Sequence, residues 1–218
     1  MASIPISRDP WKMFFDLLFS VVILTISFPF MLIIAFLVKI SSPGPIFYGS
    51  MRLGQGGRVI TCWKFRTMYR DAEKKLSELL DTDSHLRDEW SRYQKLKNDP
   101  RVTPIGRFLR RTSLDEWPQF WNVIRGDLSV VGPRPCVLVG APEYFEIEIQ
   151  NWYGNSAETI LSVKPGLTGV WQISGRSELP FKERVQIEEH YARTRTLYLD
   201  AIVFLKTFPI LLFSRGAY

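Results

Sequence analysis

Two adjacent carboxylates, Asp115 and Glu116, follow the doubled arginines Arg110 and Arg111 in the run Gly106-Arg-Phe-Leu-Arg-Arg-Thr-Ser-Leu-Asp-Glu-Trp-Pro-Gln119. Acids beside bases, at the start of a helix expected from about Leu114 to Ile124, make a site that can bind a phosphate and attack it. A helix N-terminus attracts anions, and arginine presents a phosphate with two parallel donors. Carboxylates repel that phosphate unless something neutralises the site. A Mg²⁺ held by a carboxylate and by substrate oxygens meets the need. An Asp carboxylate can then act as nucleophile and form an acyl phosphate.

The same residues also carry a structural reading. Ser113-Leu-Asp-Glu116 matches a capping box, in which the serine side chain takes the Glu116 N–H and the glutamate reaches back. Asp115 then only complements the helix dipole. Both readings stand on these residues alone.

Further cations occur in suggestive settings: Lys64 and Arg66 in Trp63-Lys-Phe-Arg-Thr-Met68, Arg134 between two prolines, and Arg176 after glycine in Gln172-Ile-Ser-Gly-Arg176. Arg134 and Arg176 sit on backbone restricted by their neighbours. His85 and His190 lie in charged stretches, so histidine metal ligation is not expected. Cys62 and Cys136 form no metal motif or disulfide framework, and both are read as reduced.

The elements that must position this chemistry begin with an apolar run. Leu17 to Val38 comprises 22 residues without a charge. As one helix it is about 33 Å long, enough for a hydrocarbon core of about 30 Å. No small-residue cleavage pattern follows, which excludes a signal peptide. Pro29 lies near the middle, where it removes a backbone hydrogen bond, and the Ser27 hydroxyl is placed to satisfy a freed carbonyl. Arg8 and Lys12 precede the run, and Lys39 and Arg52 follow it. Basic flanks favour the cytoplasmic side, so flanks basic at both ends suit a helix-break-helix that enters and leaves by one face. On these residues alone the re-entrant and spanning readings are evenly matched.

Beyond the turn Ser41-Ser-Pro-Gly-Pro45, Ile46–Tyr48 and Val59–Phe65 read as strands around the glycine turn 54–57. Residues 70–97 read as exposed helix broken at Asn98-Asp-Pro100. Helices are expected at 141–153 and 181–195, with a loop at Lys164-Pro-Gly-Leu-Thr-Gly169. Thr196–Ser214 is expected as an amphipathic interfacial helix or a core helix, broken by Pro209. The 218 residues carry a net charge of +6. That balance fits anionic lipid or a phosphorylated substrate, and no nucleic-acid motif accompanies it.

In order, these motifs resemble the bacterial sugar transferase family, the monotopic polyprenyl-phosphate phosphoglycosyl transferases. The resemblance is carried by the apolar segment with Pro29, Lys64-Phe-Arg-Thr-Met68, Ser113–Gln119 and Asn122-Val-Ile-Arg-Gly-Asp127. Gly132-Pro-Arg-Pro135 and Lys164–Arg176 complete it. The C-terminal half is most similar to the catalytic domain of undecaprenyl-phosphate galactose phosphotransferases. The resemblance implies a predominantly helical α+β, monotopic membrane protein. Residues 1–42 would form a re-entrant hairpin hinged at Ser27 and Pro29, and 43–218 a catalytic domain with interfacial helices on the cytosolic face of the bacterial inner membrane.

It further implies that Asp115 attacks a UDP-sugar, releases UMP and holds the phosphosugar covalently. Undecaprenyl phosphate then takes up the phosphosugar, a first membrane step of exopolysaccharide assembly. Glu116 would be the dyad partner, with Mg²⁺ at Asp115 and Glu116. Arg110, Arg134 and Arg176 would bind substrate phosphate or nucleotide, with Lys64 and Arg66 beside them. Galactose is the sugar the resemblance favours, the bilayer is a partner, nucleic acid is not, and a homodimer stays open. The family often places serine directly before the hinge proline, whereas here Phe28 separates Ser27 from Pro29. The rival reading is a membrane-anchored, non-catalytic binding protein in which Asp115 and Glu116 cap a helix.

Overall fold

The computed structural model describes residues 4, 6–93, 96–138, 145–174 and 180–213. The first element is a 32-residue helix, α1 (Pro10–Ser41). Asp9 caps it by accepting the Lys12 backbone N–H, and Pro10 occupies the first turn, where its missing N–H costs nothing. Its buried residues are Lys12, Ser20, Ser27, Ile34 and Val38. They recur at intervals of eight, seven, seven and four residues along one narrow stripe, and small serines there let the helix approach its neighbour closely. Most of the remainder is exposed and apolar, including Trp11, Phe14, Phe28, Phe30, Phe36 and Ile40.

The expected helix-break-helix is corrected here: α1 runs through Pro29 without a break. Proline removes one N–H and crowds one carbonyl, yet its fixed φ is helical, so a flanking helix can continue through it. Pro209 likewise sits inside α10 (Leu197–Phe213). Ser27 does not serve the bond lost at Pro29. The orphaned carbonyl is four residues back, on Thr25, whereas the Ser27 hydroxyl points 3.5 Å from the Leu24 carbonyl.

After α1, strands β1 (Phe47–Leu53) and β2 (Val59–Phe65) form an antiparallel hairpin in the register Phe47↔Phe65 to Leu53↔Val59. Its connection uses Gly56 and Gly57 at φ of 71° and 76°, values that glycine adopts without strain. Helices α2 (Ala72–Thr82) and α3 (Ser84–Tyr93) replace the single helical region expected at 70–97, and α2 buries no residue. Helix α4 (Pro104–Thr112) then leads to the short α5 (Gln119–Ile124). A second sheet, unforeseen in the sequence, pairs β3 (Ser129–Val131) with β4 (Gly166–Thr168) in parallel. Here Gly132 and Gly166 bring their backbones so close that a Cβ on either would collide with the other segment.

Between and after these strands come α6 (Phe145–Tyr153), α7 (Ala157–Leu161), α8 (Val170–Ile173) and α9 (Phe181–Thr194), followed by α10. The fold is thus mostly helical with little sheet, as expected of an α+β chain. Helix α10 joins the core at Val203 and Asp200, as the core-helix reading expects, and exposes Tyr198 and Leu205.

Both ends of α1 are fastened to the same body. At the N-terminal end Lys12 Nζ contacts Asp200 at 2.5 Å, and Asp16 accepts from Ser129 Oγ (2.6 Å) and the Val130 N–H. Midway, Phe19 packs against Phe120 and Phe204. At the C-terminal end Ile34 and Val38 pack with Phe65 and Leu109.

Candidate active site

Asp115 and Glu116 do not open a helix. Ser113 closes α4 instead, in the left-handed conformation (φ 57°), as the one non-glycine residue with positive φ among the described residues. A left-handed C-cap without glycine is strained by about 1 kcal/mol. Leu114–Glu116 is a single 3₁₀ turn, and α5 starts only after Pro118. The expected helix Leu114–Ile124 is corrected accordingly. The capping box is absent as well: Ser113 makes no side-chain cap, and its backbone carbonyl receives the Glu116 N–H at 3.2 Å.

A 3₁₀ turn rotates about 120° per residue, so neighbouring side chains diverge. Glu116 points to a basic wall. Its Oε1 accepts from Lys64 Nζ at 2.6 Å and from Arg134 Nη2 at 3.3 Å. Asp115 is buried and accepts no side-chain hydrogen bond among the described residues. Burial pushes its carboxyl up to about 6, and the Glu116 charge adds to this while Lys64 and Arg110 hold it down. For Glu116, burial acts in the same upward direction but is outweighed by Lys64 and Arg134, which hold it well below the usual carboxylate range. Two adjacent acids therefore differ in character: Glu116 is an anion bound by cations, and Asp115 is a buried carboxyl raised to about 6 with no bond from another side chain among the described residues.

Local structure explains who reaches the site. Lys64 shares the β2 face of Ile60 and Cys62, by the two-residue period, and lies at that strand's end. Asn122 holds α5 against β2 by mimicking a strand, accepting the Trp63 N–H (3.0 Å) and donating to the Thr61 carbonyl (2.7 Å). Arg110, in the last turn of α4, is anchored by its Nε to Thr67 Oγ1 at 2.9 Å. Arg134 is held through its backbone, whose N–H donates to Glu188 Oε1 and whose carbonyl accepts from Arg184.

Arg66 is placed elsewhere. Its guanidinium donates to the carbonyls of Val38 (3.3 Å), Ser42 (2.6 Å) and Pro43 (2.8 Å), capping the end of α1. Arg66, grouped in the sequence with the substrate-binding cations, is bound to backbone at the end of α1 and makes no hydrogen bond or ion pair with the dyad among the described residues. Arg176 lies outside the described residues. Lys64, Arg110 and Arg134 are brought around the dyad.

Three residues the sequence reading missed belong to this surrounding. Buried Glu188 positions Arg134 and pairs with Arg184 (3.3 Å), and Arg184 stacks 4.4 Å over the Trp171 ring. Arg52 donates to the Pro135 carbonyl and adds positive charge near Arg134 and Glu116. Charged residues in a helix and a strand carry no local sign of such a role. Cys62 and Cys136 are free and buried.

No cluster of three metal-ligating side chains occurs among the described residues. The donor set nevertheless suits Mg²⁺ held jointly with a substrate, because that ion commonly takes one or two carboxylates plus phosphate oxygens. Asp115 is free to serve, and Glu116 keeps Oε2 beyond its two cations.

The bacterial sugar transferase family model matches residues 7–214. The chain is 42% identical over 207 residues to the exopolysaccharide production protein ExoY of Sinorhizobium fredii, covering 95% of this chain and 88% of that one. It is 41% identical over 207 residues to an undecaprenyl-phosphate galactose phosphotransferase of Salmonella typhimurium, covering 95% of this chain and 41% of the relative. A UDP-glucose:undecaprenyl-phosphate glucose-1-phosphate transferase of Escherichia coli is 38% identical over 199 residues, with 88% and 38% covered.

Proposed function

The chain belongs to the bacterial sugar transferase family, and on that premise we propose that it transfers a sugar-1-phosphate from a UDP-sugar to undecaprenyl phosphate, releasing UMP. The observation that carries the reading is the division of labour at the dyad. Asp115 is buried, accepts no hydrogen bond from another side chain among the described residues and has its carboxyl raised to about 6, while Glu116 is tied to Lys64 and Arg134. Relatives named for galactose and for glucose transfer match at comparable identity, so the sugar is decided by experiment.

In the proposed reaction an Asp115 carboxylate oxygen attacks the sugar-bearing phosphorus. The bond to the bridging oxygen breaks, and that oxygen leaves with UMP. Lys64, Arg134 and Arg110 supply positive charge where charge develops on phosphate oxygens. Glu116 keeps Lys64 and Arg134 in place. Burial keeps water from the acyl phosphate until the phosphate oxygen of undecaprenyl phosphate attacks the same phosphorus and restores the carboxylate. Mg²⁺, held by Asp115, Glu116 and substrate oxygens, would supply charge neutralisation.

We read residues 1–42 as the membrane element of a monotopic protein and 43–218 as the catalytic part. A 32-residue helix is about 48 Å long, and its buried stripe meets the same domain from Lys12 to Val38. A crossing helix would carry one end away from that domain. This supports a helix that stays along a single face of the membrane, the cytosolic one, where the UDP-sugar is, rather than one that crosses.

The non-catalytic alternative depended on the capping box, which is absent. UMP release measured across a UDP-sugar panel with undecaprenyl phosphate and Mg²⁺ tests the proposal, together with trapping of a phosphosugar on the protein. UMP release unchanged in Asp115→Asn would exclude Asp115 as nucleophile.

A further inference from the structure

A cavity of about 270 Å³ lies apart from the dyad, walled by the leader from Ile6 to Asp9, the first turns of α1, Gly126, Ser129 and Lys164. Five cations line it, namely Arg8, Lys12, Arg58, Lys164 and Arg195, against Asp9 and Asp16. Asp9 caps α1, and Asp16, which accepts from Ser129 and Val130, also ion-pairs with Lys12 at 3.9 Å. Lys12 is neutralised by Asp200 and Arg58 by Asp127.

That leaves a cationic surplus. Lys164 has no hydrogen bond or ion pair among the described residues. Among the described residues Arg195 donates only to the neutral Ser7 hydroxyl, at 2.7 Å. Burial lowers the Lys164 ammonium below its ordinary range; Asp16 opposes this, and Arg58 adds to it. A half-buried ammonium with no direct ion pair among the described residues is costly, and an anion in the cavity would relieve it.

The walls are built rather than incidental. Gln55 Nε2 donates to the carbonyls of both Ser7 (3.0 Å) and Ser162 (2.8 Å), and the Ser7 N–H donates to Ser162, pinning the leader. Met13 belongs to the lining and also to the exposed apolar face of α1, beside Trp11 and Phe14. An anionic group carried on an apolar tail matches both surfaces.

We propose that this cavity binds the phosphate of an anionic lipid headgroup, with Lys164 and Arg195 as its principal donors and the Met13 side of α1 against the acyl chains. The inference rests on the reading of α1 as lying in lipid, and is independent of the chemistry at Asp115.

The test is thermal unfolding of the purified full chain in neutral detergent, titrated with dioctanoyl phosphatidate, dioctanoyl phosphatidylcholine or inorganic phosphate. Phosphatidate should raise Tm saturably. Its apparent affinity should weaken about tenfold in Lys164→Gln and in Arg195→Gln, and persist in Lys164→Arg and Asp115→Asn. Phosphatidylcholine should leave Tm unchanged. Should Lys164→Gln fail to fold, Arg195→Gln carries the test. Equal responses of wild type and both neutral variants would overturn the site. An equal, Lys164-dependent response to inorganic phosphate would overturn the lipid source in favour of free phosphate. Purification of the wild-type chain as a soluble protein without detergent would defeat the membrane reading of α1 separately.

Discussion

Lys64 and Glu116, 52 residues apart in sequence, meet at 2.6 Å, and this pair is what separates the roles of two neighbouring carboxylates. The same ammonium lowers the Asp115 carboxyl through space. Lys64→Met should therefore reduce UMP release about 100-fold, by removing charge stabilisation and leaving Glu116 paired with Arg134 alone. It should also move the acid limb of the pH profile upward, since Asp115 loses a nearby cation. A lower kcat with an unmoved acid limb would detach Lys64 from Asp115.

Asp115 must be ionised to attack. With its carboxyl raised to about 6, kcat/KM in the wild type should be level above about pH 7, halve near pH 6 and fall tenfold per unit below. Full kcat/KM retained at pH 5 would contradict a nucleophile in this environment.

The same burial should make Asp115 a stability burden. A carboxyl raised in the folded state holds its proton where the unfolded chain has lost it, so stability falls as pH rises from about 4 to 6. The displacement corresponds to about 3 kcal/mol as an upper figure. Asp115→Asn should abolish transfer yet raise Tm by a few degrees at pH 7, and the gain should vanish near pH 4. Measured in detergent, a Tm lowered at both pH values would show that the carboxylate is structural.

Arg66 should act on the fold rather than on the donor. Arg66→Leu leaves the carbonyls of Val38, Ser42 and Pro43 without their donor, a loss of about 3 kcal/mol. Denaturation should show that loss, with the KM for the UDP-sugar nearly unchanged in the folded fraction. A large rise in KM at wild-type stability would return Arg66 to substrate binding.

Exposed Ile6 and Tyr48 flank α1, whose native neighbours include no exposed thiol, because Cys62 and Cys136 are buried. Ile6→Cys and Tyr48→Cys should both resist an impermeant maleimide in intact spheroplasts and both react after lysis. Labelling of one position from outside would establish a crossing helix.

Much of this protein was legible before any fold was known. Side-chain chemistry and local periodicity located the apolar helix, the β1–β2 hairpin around its glycines, α9, and the acid pair among arginines. Local rules failed where a distant partner decided the outcome. Ser113-Leu-Asp-Glu116 satisfies the capping pattern by spacing, but Ser113 closes α4 in a left-handed turn and the glutamate goes to Lys64 and Arg134. Pro29 and Pro209 read as breaks yet lie within helices, because one missing N–H does not end a helix whose flanks are otherwise held.

Lys64 and Arg66 stand two residues apart, a spacing that strand alternation alone would place on one face, but β2 ends at Phe65 and chain packing takes Arg66 to the end of α1. Sequence by itself determined which groups are available and the period of each element. Only the tertiary structure decided which carboxylate is neutralised and which is left free, because through-space charge and burial depend on contacts made across tens of residues.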